Sequence, residues 1–412
     1  MEQKEQAVKE ILKKYDQEHL LIKYEQMSKE DQEYLLNQIL DIDFDQIMSL
    51  YENTKKEIEL GNDKIEPISY VDKFKLSQEE KTEYEKLGEN AIKAGKLGFI
   101  TMAGGQGTRL GHKGPKGTFK LIGEKTLFQL ICETLMEGSQ KYGVSIPWYI
   151  MTSRENNDDT VAYFEKENYF GYSKENIKFF KQGELPMIGT DGKILLDKNG
   201  FVKQAADGHG GIFEAIFKNN LLEDMKQKGL EWLFIGGVDN CLVKMCDPLF
   251  IGLAIENNYL AAGKSLVKSN PAEKVGVFCK RNGRPSVIEY TEISKEMAEA
   301  KDENGELLYG EAHVLMNMFN IKALEELEKN KLPFHSAFKK AEYLDENGNL
   351  ITPDSPNAYK FESFIFDAFS SLKDMLIMRV KREEEFAPVK NAEGVDSPET
   401  ARELYNEFIA KK

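Results

Sequence analysis

One local pattern constrains this chain more than any other: a short apolar run ends in small or glycine residues, and a helical stretch follows. Leu97-Gly98-Phe99-Ile100-Thr101-Met102, Trp148-Tyr149-Ile150-Met151-Thr152 and Trp232-Leu233-Phe234-Ile235-Gly236-Gly237 are such runs. Each has the length and unbroken apolarity of a strand buried on both faces. Helical stretches near 126–142 and 211–228 separate them. Strands alternating with helices need crossover connections, so the expected fold is α/β, a Rossmann-like mixed and mostly parallel sheet. Later runs near 275–279 and 286–290 flank Asn282-Gly283, a hairpin signal that predicts an antiparallel addition.

Ahead of the first run the texture is helical. Val8, Ile11, Leu12 and Tyr15 recur at helical spacing, as do Leu35, Leu36, Ile39 and Leu40, and Ser28 with Asp31 reads as a helix start. A linker with Gly61-Asn62-Asp63 and Pro67 follows, then a helical stretch near 78–94. The expected organisation is an N-terminal helical subdomain over 1–92, an α/β domain over 93–372 and a short C-terminal segment over 373–412.

The 412 residues include 55 Lys+Arg and 70 Asp+Glu, a formal net charge of −15. That balance disfavours nucleic acid, whose binding needs a basic face, and a polybasic membrane surface. The first residues lack a basic-then-apolar signal pattern, and no apolar run approaches the roughly 18 residues of a membrane span. Four cysteines (Cys132, Cys241, Cys246, Cys279) without a Cys-x-x-Cys pair read as reduced, mostly buried thiols. A cytoplasmic protein is expected. The charge is unevenly spread: residues 1–60 carry 8 Lys and 15 acids, whereas residues 101–130 carry five Lys/Arg and one Glu.

That basic stretch holds the chemistry. Met102-Ala103-Gly104-Gly105-Gln106-Gly107-Thr108-Arg109-Leu110-Gly111 leads into His112-Lys113-Gly114-Pro115-Lys116-Gly117. Glycines at this density after a strand let backbone N–H groups approach a phosphate chain. Arg109 and Lys116 add charge, Arg as a fork and Lys as a point. A Walker loop would need Gly-Lys-Ser/Thr, but Thr108-Arg109 follows Gly107; a dinucleotide fingerprint would need glycine where Leu110 stands. The His-Arg-Asp and Asp-Phe-Gly motifs of a protein kinase do not occur. Asp239, in Gly237-Val238-Asp239-Asn240, follows the third apolar run, where α/β sheets place ligands and a carboxylate can hold Mg²⁺ against phosphates.

At the glycine loop the sequence resembles the nucleotide-sugar pyrophosphorylases, whose signature is Leu/Met-Ala-Gly-Gly-x-Gly-Thr-Arg-Leu-Gly…Pro-Lys. Within them it is most similar to the UDP-N-acetylglucosamine pyrophosphorylase group, from Gln17-Glu18-His19-Leu20-Leu21 to Lys390-Asn391-Ala392. The resemblance implies a uridylyltransferase that joins UTP and a sugar-1-phosphate, N-acetylglucosamine-1-phosphate by preference, with Mg²⁺ on Asp239. It implies triphosphate contacts at Ala103, Gly104, Gly105, Gly107 and Thr108, and a uracil edge read by Gln182 and Gly208. Gly276, Glu289 and Tyr290 match the sugar pocket, and Asn240 a substrate contact; Lys390 and Lys360 match lysines that reach phosphates, and Arg109 and Lys116 act on the departing pyrophosphate.

Three departures stand out. His209 occupies a position where the acetylhexosamine enzymes carry Asn and the UDP-glucose and broad-range enzymes carry Gly-His-Gly. The usual Asn-rich stretch appears as Gly310-Glu311-Ala312-His313-Val314-Leu315-Met316-Asn317, leaving Asn317 as the sugar-facing candidate. The chain also ends before the β-rich domain with which the acetylhexosamine enzymes often continue, so a monomer is expected. Two alternatives follow: a UTP–glucose-1-phosphate or broad-range UDP-sugar enzyme, and a non-catalytic nucleotide-sugar binding protein.

Overall fold

A computed structural model describes residues 2–56 and 63–411. Gly61 and Asn62 of the expected linker, and the end of the expected helical leader, lie outside the described residues. The chain divides into two compact units, each assembled from three segments: Met1–Gly61, Gly183–Gly211 and Leu332–Phe364 in one, Asn62–Gln182, Ile212–Lys331 and Ile365–Lys412 in the other. This differs from the three consecutive domains expected over 1–92, 93–372 and 373–412. The reason is where the apolar helix faces are buried. Val8, Leu12, Leu35, Leu36, Ile39 and Ile47 share a core with Ile188, Ile194, Leu196, Val202, Leu344 and Phe361, far along the chain. Helix Gln78–Lys93, opened by a reciprocal Ser77/Glu80 cap, belongs to the other unit.

That larger unit contains a sheet of 11 strands among the described residues. They are β1 (Ile65–Pro67), β2 (Val71–Asp72), β3 (Leu97–Met102), β4 (Trp148–Thr152), β5 (Ile177–Lys181), β6 (Trp232–Gly237), β7 (Ala261–Val267), β8 (Val277–Arg281), β9 (Arg284–Ile288), β10 (Glu311–Asn320) and β11 (Leu376–Val380). The main path runs β2-β11-β7-β10-β6-β3-β4-β5. Only β10 runs antiparallel to its neighbours on that path; the other pairings are parallel. β8 and β9 form the expected hairpin, with Asn282 and Gly283 both at positive φ, as a two-residue turn of this hand requires. The expected helix over 211–228 is instead two, Ile212–Lys218 and Leu221–Gln227, broken where Asn220 takes φ 54.

The large core of this unit lies on one face of the sheet, where Phe99, Trp148, Ile150 and Phe234 line up across neighbouring strands and Phe250 packs on them, all almost wholly buried. Helix Gln78–Lys93 approaches helix Pro248–Glu256 so closely that glycines are needed: a Cβ at Gly88 would overlap the Pro248 carbonyl, and one at Gly252 the Tyr84 carbonyl. Cys132, Cys241 and Cys279 are buried free thiols, as expected, and burial pushes Cys132 and Cys241 up to about 12. Among the described residues no helix is long and apolar enough to cross a membrane.

Candidate active site

The glycine loop leaves the C-terminal end of β3 and folds back on itself. Gly107 N–H donates to Gly114 O (2.9 Å) and Lys116 N–H to Gly105 O (3.0 Å), which seats Lys116 beside the second glycine of the motif. Gly111 (φ 67) and Gly114 (φ 119) occupy the left-handed region that makes this reversal possible. His112 donates from Nε2 to Thr118 Oγ1 (2.8 Å), and Thr118 in turn to Pro115 O (2.8 Å), bracing the return. Arg109 is exposed and Lys116 half-buried, and among the described residues neither side chain meets a carboxylate or another hydrogen-bond partner. Two unneutralised cations beside a glycine-rich backbone are chemically suited to a polyanion.

Parallel strands on either side of β3 complete this edge. Beyond β5, Gln182 donates its backbone N–H to Thr152 O (2.8 Å). Its side-chain amide lies where a Cβ on Gly104 would be, 2.8 Å from the Gln182 Cδ. The loop and the candidate base-reading amide therefore lie against each other, and any side chain at Gly104 would displace the amide. Asn156, wholly buried, donates Nδ2 to Ala103 O (2.9 Å) and Gly105 O (3.3 Å) and fixes the loop from beneath. Nothing in the sequence distinguished Asn156 from its neighbour Asn157.

On the other side, β6 pairs with β3 in register up to Gly237 opposite Met102, so Asp239 emerges beside the loop's origin. The Asp239 carboxylate curls back over Gly237, with Oδ1 2.5 Å from where a Cβ there would sit. It is half-buried, and among the described residues it has no hydrogen bond or ion pair. Among the described residues no group of three or more His, Cys, Asp or Glu gathers as a metal site. One open carboxylate at a strand end fits a hard cation carried mainly by substrate phosphates.

Lys390 reaches this edge through a ribbon. Val389 N–H donates to Asp239 O (2.9 Å) and Cys241 N–H to Ala387 O (3.2 Å). Asn240 stitches the two segments, donating Nδ2 to Glu385 O (2.8 Å) and accepting at Oδ1 from Ala387 N–H (2.9 Å) and Leu242 N–H (3.2 Å). Asn240, expected as a substrate contact, has its buried side-chain amide bonded to the backbone of both segments. Lys390 itself lies 3.4 Å from Asp396 Oδ2, a partner it must exchange to serve a phosphate.

Gly276, Glu289 and Tyr290 gather at the β8–β9 hairpin. A Cβ on Gly276 would sit 2.9 Å from Glu289 Oε1, so this glycine makes room for the carboxylate. Burial, reinforced by Glu292, pushes the Glu289 carboxyl above its ordinary value. Tyr290 is exposed. Asn317, wholly buried on β10, donates Nδ2 to His313 Nε2 (3.1 Å), while its Oδ1 has no partner among the described residues. Side chains four apart on a regular strand cannot meet; a bulge with Leu315 at φ 53 brings these two together.

Gly208, His209 and Lys360 belong to the other unit. Gly208 has φ 86 and packs so tightly on Ser363 that a Cβ would overlap its carbonyl. His209 lies over the Phe364 ring (5.3 Å between centroids), and Lys360 pairs with Glu362 (2.7 Å) on the central strand Ala358–Glu362 of a three-stranded sheet. Asp207, which sequence reasoning passed over, shapes this turn: Gly183 and Gly211 both leave space that the Asp207 carboxylate fills.

Comparison with known proteins bears on this arrangement. The profile of the UTP–glucose-1-phosphate uridylyltransferase family matches residues 42–396. UDP-N-acetylglucosamine pyrophosphorylase of Saccharomyces cerevisiae is 37% identical over 423 residues, covering 96% of this chain and 88% of that protein. UDP-N-acetylhexosamine pyrophosphorylase-like protein 1 of Xenopus tropicalis is 39% identical over 332 residues, 77% of this chain but 65% of that protein. Among solved structures, the uridine diphosphate N-acetylglucosamine pyrophosphorylase of Trypanosoma brucei superposes with a TM-score of 0.82 at 29% identity, covering 98% of this chain and 84% of that one.

Proposed function

Because the chain belongs to the UTP–glucose-1-phosphate uridylyltransferase family, we propose that it transfers the uridylyl group of UTP to N-acetylglucosamine-1-phosphate, giving UDP-N-acetylglucosamine and pyrophosphate. The observation that carries the reading is the junction of the glycine loop with Gln182 on one side and Asp239 on the other, with Arg109 and Lys116 unneutralised. A sugar-phosphate oxygen attacks the α-phosphorus in line, and the bond to the β-phosphate oxygen breaks with its electron pair leaving on pyrophosphate. The attacking phosphate is already ionised near neutral pH, so no general base is needed. Catalysis is positioning and charge stabilisation.

In this reading Ala103, Gly104, Gly105, Gly107 and Thr108 cradle the triphosphate, and Arg109 and Lys116 take the charge that develops on the leaving group. The Gln182 amide, able to donate and accept, reads uracil. Lys390 neutralises the sugar phosphate, and Glu289 accepts sugar hydroxyls, with Gly276 giving it room; Asn317 on β10, whose Oδ1 has no partner among the described residues, is the further sugar-facing candidate. Asp239 would hold Mg²⁺ together with the phosphates, and the ion would neutralise charge on the reacting phosphoryl oxygens. For Gly208, His209, Tyr290 and Lys360 the assignment rests on sequence resemblance.

Pyrophosphate release from UTP, measured with a panel of N-acetylglucosamine-, N-acetylgalactosamine-, glucose- and galactose-1-phosphate, tests the proposal. Highest kcat/KM with N-acetylglucosamine-1-phosphate supports it. Preference for glucose-1-phosphate would favour the second reading, to which His209 and the altered 310–317 stretch point. No release with any sugar would leave a binding protein. A monomeric state and a cytoplasmic location are part of the proposal, checked by light scattering and cell fractionation.

A further inference from the structure

β7 carries Lys264 inside an otherwise apolar run, with none of its surface exposed. Its ammonium lies 2.8 Å from Asp247 Oδ2 and 2.5 Å from Glu385 Oε2, and donates to Lys244 O at 3.1 Å. Both carboxylates are buried as well. Lys73 completes the group, 2.9 Å from Glu385 Oε1 and 3.1 Å from Glu384 Oε2. Burial opposes ionisation of Asp247, and the Lys264 charge overcomes it, holding the carboxyl well below its usual range. Burying such ions is costly, and apolar side chains of similar size commonly hold a fold as well or better. Fold stability alone therefore does not account for the network.

What it grips is informative. Asp247 closes the loop that begins at Asp239, and Glu385 opens the segment that ends at Lys390. Between these anchors the two segments are laced by Asn240, Cys241 and Val389. Lys264 thus ties the pair at one end, and Asp239 and Lys390 leave it at the other. We infer that Lys264 is a positioning residue which, through Asp247 and Glu385, sets where Asp239 and Lys390 stand during uridylyl transfer; this rests on the function proposed above.

The test is steady-state kinetics of Lys264→Met, with melting curves. A displaced catalytic pair lowers kcat by about 10²-fold. KM for UTP stays near wild type, because the glycine loop and Gln182 are untouched. The single change leaves buried Asp247 with only Lys244 at 3.6 Å, whereas Glu385 keeps Lys73, so Lys264→Met/Asp247→Asn serves as the compensated variant: it melts like wild type and keeps the low kcat. Adding Lys264→Met to Lys390→Ala costs less than it does alone, since part of the Lys264 effect runs through Lys390. The inference is overturned by wild-type kcat in either folded variant, by losses that multiply in the Lys390→Ala background, or by failure of both Lys264 variants to melt cooperatively. An inactive wild-type enzyme would instead overturn the proposed function.

Discussion

Arg109 and Lys116 face no carboxylate among the described residues, in a chain that carries 70 acidic side chains. Lys390 and Lys360, by contrast, already hold acidic partners. On this basis Lys116 is the residue most exposed by mutation: Lys116→Ala lowers kcat by about 10²–10³-fold while the melting temperature holds, and near-normal turnover would remove Lys116 from the mechanism. Glu289 gives a second prediction, with a sign fixed by linkage. A carboxyl raised on folding leaves stability intact below its unfolded value and erodes it as pH rises through the folded one. Glu289→Gln therefore melts at the same temperature as wild type near pH 4, melts higher at pH 7, and loses activity at both. An equal melting difference across that range would contradict the argument. The sequence announced Lys116, because Pro-Lys follows the glycines, but could not announce Asn156, whose role depends on lying beneath a loop some fifty residues earlier.

At the scale of elements, the apolar runs were sufficient to place β3, β4 and β6, because strands buried on both faces need no partner to declare themselves. Asn282-Gly283 likewise fixed its hairpin. The break at Asn219–Asn220 was not legible: Asn tolerates positive φ without requiring it. Nor was the contact between helices Gln78–Lys93 and Pro248–Glu256, which depends on two glycines 164 positions apart facing two carbonyls. Gly88→Ala tests that contact. Overlap with a backbone carbonyl cannot be relieved by a rotamer, so the change costs about 3 kcal/mol. Thermal or denaturant unfolding measures it, and a variant as stable as wild type would mean the helices separate freely.

For the molecule as a whole, the net charge of −15 conceals an acidic leader and a basic loop, and only the latter enters the proposed function. The same view separates a catalytic metal from a structural one. Among the described residues no cluster of ligands would hold an ion unaided, so chelation with EDTA abolishes turnover but moves the melting temperature of the free enzyme by no more than about 1 °C, a metal that is not bound without substrate adding nothing to stability. A large shift on chelation would point to a preformed site instead. The features legible from the chain are local: strand, glycine turn, basic pair and terminal carboxylate follow from short-range spacing, where steric and polar rules act within a few residues. Only packing brings together the distant segments that make each unit, the backbone groups that the Asn240 amide bonds, and the buried Lys264 between Asp247 and Glu385. Burial and pairing are properties of packing, and packing joins residues whose separation along the chain carries no signal.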